Sequence, residues 1–271
     1  MSEDFQDWVG RSVTRHDVVS ERLVAEYEAT MQDHLFAGGV GTPPGFHFGL
    51  APAIHPPEKL GPDGAELKGL FVPPITYSRR MWAGGRIDSF HPIRVHDQIV
   101  RRSTITGVSH RQGKAGAFYI VSILHEIEAN GTLAVRERQD LLFREGGRAS
   151  PGTPAAPAAS LAGWAVEAGA MLLFRFSAFT FNGHRIHYDL DFARREEGYD
   201  GLLVHGPLQA ALLLNLMATV QKRVPKAFEY RCLAPLTSGQ TFRVEALAPD
   251  LCRIIDARGV LTCEGRGPET A

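Results

Sequence analysis

Cysteine is scarce in this chain: three residues in 271, Cys232, Cys252 and Cys263, all towards the C-terminal end. Their odd number and the lack of paired CxxC spacing argue against a zinc site and read as buried thiols. Net charge is nearly absent as well, because 29 Lys and Arg stand against 30 Asp and Glu, leaving −1 at pH 7 and a pI near 6.8. That removes the general attraction that nucleic acid or an anionic membrane surface would need, so any anion has to be met locally. No segment offers about 18 apolar residues in a row. The opening MSEDFQDWVGRSVTRHD is acidic and polar, with no apolar core of signal-peptide length. The expectation is a cytoplasmic protein without membrane or nucleic-acid partners.

What is present is the composition of a globular protein, 44% hydrophobic and 22% charged. One break divides it. GGRASPGTPAAPAASLAG, from Gly146 to Gly163, is rich in Pro, Ala, Gly and Ser and has no apolar periodicity, which reads as a linker. The expected units are 1–147, a linker 148–163 and 164–271, each half long enough for one small domain.

The halves read as copies. SFHPIRVHDQI (Ser89 to Ile99) and RCLAPLTSGQTF (Arg231 to Phe242) share a Pro-led pattern before a polar turn and a strand, with Pro92 and Pro235 143 apart. Upstream, LVAEYEATMQD (Leu23 to Asp33) lies over LLFRFSAFTFN (Leu172 to Asn182) at a shift of 149, matching Tyr27 to Phe176 and Ala29 to Ala178. Strands are clearest in IVRRSTITGVSH, GAFYIVSILHEIEA and LAVRERQDLLFR, and QTFRVEALAPDLCRIIDARGVLTCEG repeats their rhythm. PLQAALLLNLMATVQKR (Pro207 to Arg223) is apolar round most of its circumference, the mark of a buried helix, with Pro suited to its first turn. Strands wrapped round one buried helix make a hot dog. The expected fold is therefore α+β, a double hot dog in which each half wraps an antiparallel sheet round a long central helix.

Chemistry concentrates in FNGHRIHYD, Phe181 to Asp189. Asn182 and Gly183 look like the stop of the preceding helix, since both tolerate the left-handed conformation. In continuous helix Asn182 and His187 would point about 140° apart, whereas a chain that doubles back brings both to one pocket. In an extended run Arg185, His187 and Asp189 would share one face, opposite His184, Ile186 and Tyr188. A metal site from His184, His187 and Asp189 lacks helical ligand spacing and a fourth ligand, and no metal is expected.

The pattern N-x-x-x-x-H followed by YDGLLVHGPLQA resembles the signatures of MaoC-like (R)-specific enoyl-CoA hydratases. RRMWAGGRI (Arg79 to Ile87), RFSAFTFNGHRIHYD and VHGPLQA together are similar to the two-hot-dog hydratases of C5 dicarboxylyl-CoA metabolism. These are the itaconyl-CoA and mesaconyl-C4-CoA (3-methylfumaryl-CoA) hydratases, related to hydroxyacyl-thioester dehydratase type 2. The resemblance covers nearly the whole chain. It implies a hydro-lyase that adds water reversibly across the α,β double bond of an acyl-CoA, with CoA as part of the substrate and no other cofactor. His187 takes the catalytic histidine position. Asn182 stands where simpler hydratases carry aspartate; its amide cannot ionise but can hold a water, so His187 carries the proton traffic. The Gly206 N–H, at the start of the buried helix, is the expected oxyanion donor. His205 lines the pocket or bonds to backbone beside Gly206.

The first half lacks this chemistry: at the 149-residue shift Asp33 falls opposite Asn182 and Gly38 opposite His187. Its expected contribution is YSRRMWAGG, with Arg79, Arg80 and Arg86 as candidate forks for a substrate carboxylate or for CoA phosphates. Trp82, Arg185 and His205 complete the expected substrate-binding set. The alternatives are a dehydratase of another hydroxyacyl thioester, a hot-dog thioesterase and a non-catalytic acyl-CoA-binding hot dog, with a homodimer left open.

Overall fold

The computed structural model describes residues 4–113, 116–147 and 152–268. In chain order its main elements begin with β1 (Ser12–Val18), α1 (Glu21–Met31), β2 (Arg79–Ser89), β3 (Gln98–Gly113), β4 (Gly116–Ala129) and β5 (Thr132–Arg144). There follow β6 (Thr153–Pro154), β7 (Ala162–Glu167), α2 (Ala170–Phe179), α3 (Leu190–Arg195) and α4 (Gly206–Gln221). The chain closes with β8 (Ala227–Cys232), β9 (Thr241–Ala248), β10 (Leu251–Ile255) and β11 (Val260–Arg266).

The strands run β1-β3-β4-β5-β2-β8-β11-β10-β9-β7 in one antiparallel sheet, with β6 paired on β11. Each half contributes the same internal order, and the halves meet where β2 pairs β8 from Gly84↔Arg231 to Asp88↔Ala227. The repeat read from sequence is visible in the register. Val18 pairs Gln98 at the end of β1, and Glu167, 149 residues on, pairs Thr241, 143 beyond Gln98, at the end of β7. This is the double hot dog.

α4 is the buried helix expected, enclosed from Leu208 to Ala218 and packed against β7 to β11 and β2. Each large apolar side chain it removes from water contributes about 1.5–3 kcal/mol. One polar residue sits among the leucines: Asn215, fully buried, accepts from the Phe36 N–H at 3.0 Å and donates to the carbonyls of Pro44 and Ala211, both at 2.8 Å. It ties the first half to the helix of the second.

The first half departs from expectation because, among the described residues, it has no long central helix. Between α1 and β2 it forms only single 3₁₀ turns, at Gln32–His34, Phe46–Gly49 and Pro57–Lys59. The reason is local: Pro43, Pro44, Pro52, Pro56, Pro57, Pro62, Pro73 and Pro74 all fall here, and each removes a helix donor and clashes with the preceding turn. The expected linker 148–163 is extended where described. Its β6 pairs β11, Ala155 N–H bonds to Gly259 O, and its last two residues already belong to β7; residues 148–151 lie outside the described residues, as do the outermost positions of the units 1–147 and 164–271. No helix among the described residues is long and apolar enough to cross a membrane.

Candidate active site

α2 delivers the FNGHRIHYD loop, but its left-handed stop is Phe181 (φ 49°), not Asn182 or Gly183. Phe181 N–H bonds to Ala178 O at 3.2 Å and Asn182 N–H to Ser177 O at 2.8 Å, the two bonds of a Schellman close. A phenylalanine in this conformation costs about 1–2 kcal/mol, and the surrounding loop has to hold it. Gly183 does serve as a glycine, because a Cβ there would lie 2.8 Å from Gly64 O. The first-half turn Gly61–Gly64 packs directly on the loop, and Asp63 O accepts from the Arg185 N–H at 2.8 Å.

Beyond Gly183 the chain forms a 3₁₀ turn, Arg185–His187, rather than an extended run. His184, Ile186 and His187 are therefore buried together, while Arg185 turns outward. Arg185 pairs with Asp189 at 2.7 Å, donates to Pro62 O at 3.0 Å and lies over the Phe192 ring. This makes it a brace for the loop instead of the substrate ligand expected. Asp189 caps α3 by accepting from the Phe192 N–H at 3.0 Å.

His187 stands at the centre. Its Nδ1 is 2.8 Å from Leu203 O, and since a carbonyl only accepts, Nδ1 carries the proton and Nε2 keeps its lone pair. Burial, then the neighbouring His184, pushes its pKa down to about 3 against the upward pull of the Leu203 bond, so the resting ring is a neutral acceptor. His205 stacks on it, ring centres 3.5 Å apart and nearly parallel. Burial above all, with the neighbouring His187 and His184 rings adding to it, pushes the His205 pKa well down, so this ring is neutral too. His205 Nε2 meets Ser177 Oγ at 2.8 Å, so it bonds to a side chain rather than to backbone. Ser177 carries no signal in the sequence beyond its place on α2.

Gly206 is the first residue of α4, so its N–H lies outside the helical ladder, at the positive end of the dipole. A Cβ there would lie 2.8 Å from Trp82 Cβ and Cγ: glycine is required because the first half presses its tryptophan onto the helix start. The indole is fixed by donating to Tyr230 OH at 2.8 Å. Among the described residues Asn182 makes no hydrogen bond to His187; its Oδ1 accepts from the His184 N–H at 3.0 Å.

The three candidate arginines part company. Arg86 is on the outer face of β2, held by Asp88 and Glu229 at 2.8 and 3.0 Å, and is turned away from the site. Arg79 is enclosed, 1% exposed, donating to the carbonyls of Gly147 and Glu197, ion-paired with Glu197 and lying over Tyr199. It anchors Glu197 instead of facing a ligand. Arg80 alternates to the inner face, donates to Glu66 O at 2.7 Å and has a buried Nε with no hydrogen-bond partner. Glu197 and Asp63, which sequence reasoning missed, lie 3.7 and 4.0 Å from His184 Nε2.

A neutral buried histidine, whose Nε2 has no hydrogen-bond partner among the described residues, stands near the N-terminus of the central helix, an arrangement able to serve a hydro-lyase acting on acyl thioesters. The chain belongs to the hydroxyacyl-thioester dehydratase type 2 family, whose profile matches residues 45–238. Over 250 residues it is 36% identical to the mesaconyl-C(4)-CoA hydratase of Chloroflexus aurantiacus, covering 90% of this chain and 89% of that one. A solved MaoC-like dehydratase superposes with a TM-score of 0.70 at 13% identity, covering 97% of this chain and 98% of the other. A Mycobacterium tuberculosis protein described as a double hot dog does so at 0.58 and 14% identity, over 96% and 95%. The protein is an enzyme of the hydratase/dehydratase type.

Proposed function

We propose that the protein hydrates a C5 dicarboxylyl-CoA, mesaconyl-C4-CoA or itaconyl-CoA, reversibly to citramalyl-CoA. The observation that carries the chemistry is the His187 ring, whose Nδ1 is engaged by Leu203 O and whose Nε2 is left to take a proton from water. The water oxygen bonds to the β carbon, charge moves to the thioester oxygen, and the Gly206 N–H receives it. In mesaconyl-C4-CoA the proton held on His187 then passes to the α carbon; the double bond of itaconyl-CoA lies β,γ to the thioester and has to shift into conjugation before the same addition gives citramalyl-CoA. Asn182 orders the loop and holds the water. No cofactor is required beyond the CoA of the substrate.

The choice of substrate rests on the 36% identity to a mesaconyl-C(4)-CoA hydratase and on Arg80, whose buried Nε, like that of Arg79, has no hydrogen-bond partner among the described residues but which, unlike Arg79, is not ion-paired with Glu197. Its planar fork suits the far carboxylate. The test is a panel of mesaconyl-C4-CoA, itaconyl-CoA and crotonyl-CoA, following loss of the enoyl thioester together with release of free thiol. Dicarboxylyl-CoA turnover well above crotonyl-CoA, without thiol release, is expected. Preference for crotonyl-CoA would assign the enzyme to another acyl chain, and thiol release would make it a thioesterase. Arg80→Ala should harm the dicarboxylyl substrates far more than crotonyl-CoA; equal loss on all three would assign Arg80 to CoA.

A further inference from the structure

Asn182 leaves His187 without an ionisable partner, since an amide carries no charge. Two carboxylates stand one step behind. His184 is edge-on to His187, ring centres 5.6 Å apart at 87°, and its Nε2 faces Glu197 Oε1 at 3.7 Å and Asp63 Oδ2 at 4.0 Å. The His184 side chain is over nine-tenths buried, and neither its Nε2 nor Glu197 Oε2 has a hydrogen-bond partner among the described residues. The carboxylates come from different halves, Asp63 from the Gly61–Gly64 turn and Glu197 from the segment after α3. Arg79 of β2 meets Glu197 through the other carboxylate oxygen, Oε2, at 3.7 Å. Arg80 and Lys68 also feel both carboxylates, and His205 lies beyond His187. The charged groups within 4.0 Å of His184 Nε2 are both carboxylates, of which Glu197 is itself paired with Arg79.

We propose that Asp63 and Glu197, which face the His184 ring, supply the negative charge that Asn182 lacks: they offset His184, which opposes protonation of its neighbour, and so stabilise the imidazolium formed when His187 Nε2 takes the proton of the attacking water. The proton balance closes within His187: the water oxygen bonds to the β carbon, its proton goes to Nε2, and a proton returns from Nε2 to the α carbon, leaving the ring neutral. A buried imidazole with its pKa pushed down to about 3 is a poor acceptor unless a counter-charge is at hand. His187 is the group that meets the reacting atoms; His184, Asp63 and Glu197 are positioning residues. The half without a catalytic histidine thereby takes part in the proton chemistry. This rests on His187 being the base.

The experiment compares Asp63→Asn, Glu197→Gln and His187→Ala with the wild type, using whichever of mesaconyl-C4-CoA and crotonyl-CoA is turned over faster. Asp63→Asn keeps the Oδ1 that accepts from the Ala65 N–H at 3.1 Å, so the turn is retained. Glu197→Gln unpairs the buried Arg79 and is accepted only if its thermal melt shows a folded protein. Each is expected to lower kcat roughly 10- to 100-fold with KM changed little. Adding Asn182→Asp to Asp63→Asn should restore most of the loss, because it returns a carboxylate to the loop that carries His184 and His187, which no repair of packing would do. Wild-type kcat in Asp63→Asn and in any folded Glu197→Gln, or a loss that Asn182→Asp does not relieve, overturns the proposal. His187→Ala separates the two readings: if it is inactive while the carboxylate variants are normal, only this inference falls; if it is active, the base assignment falls first.

Discussion

The two halves share a strand order and differ in what fills the sheet. In the second, α4 places leucines from Leu208 to Leu216 against the strands. In the first, where prolines prevent a helix, the inner face carries polar groups. His125 bonds to Ser103 and Gln139 at 2.7 and 2.8 Å. Glu137, opposite His125 in the register, lies 3.7 Å from His47 and 4.0 Å from Arg101. A pocket of about 300 Å³ opens beside them, lined in part by His47, Ile87, Val135 and Leu214. A repeat that gives up its central helix loses the apolar filling that made its interior uniform, and can then present side chains to its partner. Trp82 on Gly206 and the Gly61–Gly64 turn on the FNGHRIHYD loop are those contacts.

The largest effect on this division of labour is expected from Gly206→Ala. Its methyl would fall 2.8 Å from Trp82, displacing either the indole or the helix start, and kcat/KM should fall about 100-fold. Trp82→Ala in the same chain should recover part of it. Steady-state kinetics of the pair checks this, and an undisturbed Gly206→Ala would separate the halves functionally.

Next is the joint itself. Asn215→Ala leaves the Phe36 N–H without its partner inside the core, while the Pro44 carbonyl keeps the Tyr27 hydroxyl at 2.8 Å, at about 1–3 kcal/mol for the buried donor stranded. Denaturant unfolding should show the loss.

Smaller, and of a stated sign, is the effect of Glu137. Burial raises its pKa from 4.5 to about 7, with Arg101 pulling the other way. A raised carboxyl pKa contributes stability that is fully present below pH 4.5 and lost as pH rises through 7. Glu137→Gln should therefore stabilise the protein at pH 8, by at most about 3 kcal/mol, and the difference from wild type should vanish towards pH 4.5. Melting curves across that range check it. The smallest change is expected from Arg86→Ala, whose exposed ion pairs with Asp88 and Glu229 contribute about 0–1 kcal/mol; unaltered kinetics on all three thioesters would confirm that this arginine faces away.

What the sequence made legible was periodic or local. The strands from Gln98 to Arg144, the helix after Gly206, and the 149- and 143-residue shifts all follow from patterns within one element. The prolines from Pro43 to Pro74 are equally local, and it is they, not the repeat, that decide against a long helix there. Phe181 rather than Gly183 closes α2 because Gly183 is needed against Gly64, a contact no local rule contains. Arg79 and Glu197 meet across 118 residues, and His184 and Asp63 across the two halves. In RRMWAGGR the alternation of β2 and its bulge between Trp82 and Gly84 decide which arginine faces inward, and only the pairing with β5 and β8 reveals it.

The central claim is that the chemistry turns on one imidazole, His187 of the second half. It is tested most directly by the rate of thioester hydration in His187→Ala, measured on protein whose melting curve matches the wild type. Loss of at least about 100-fold in kcat is predicted. Turnover within a few-fold of wild type in that folded variant would contradict the account.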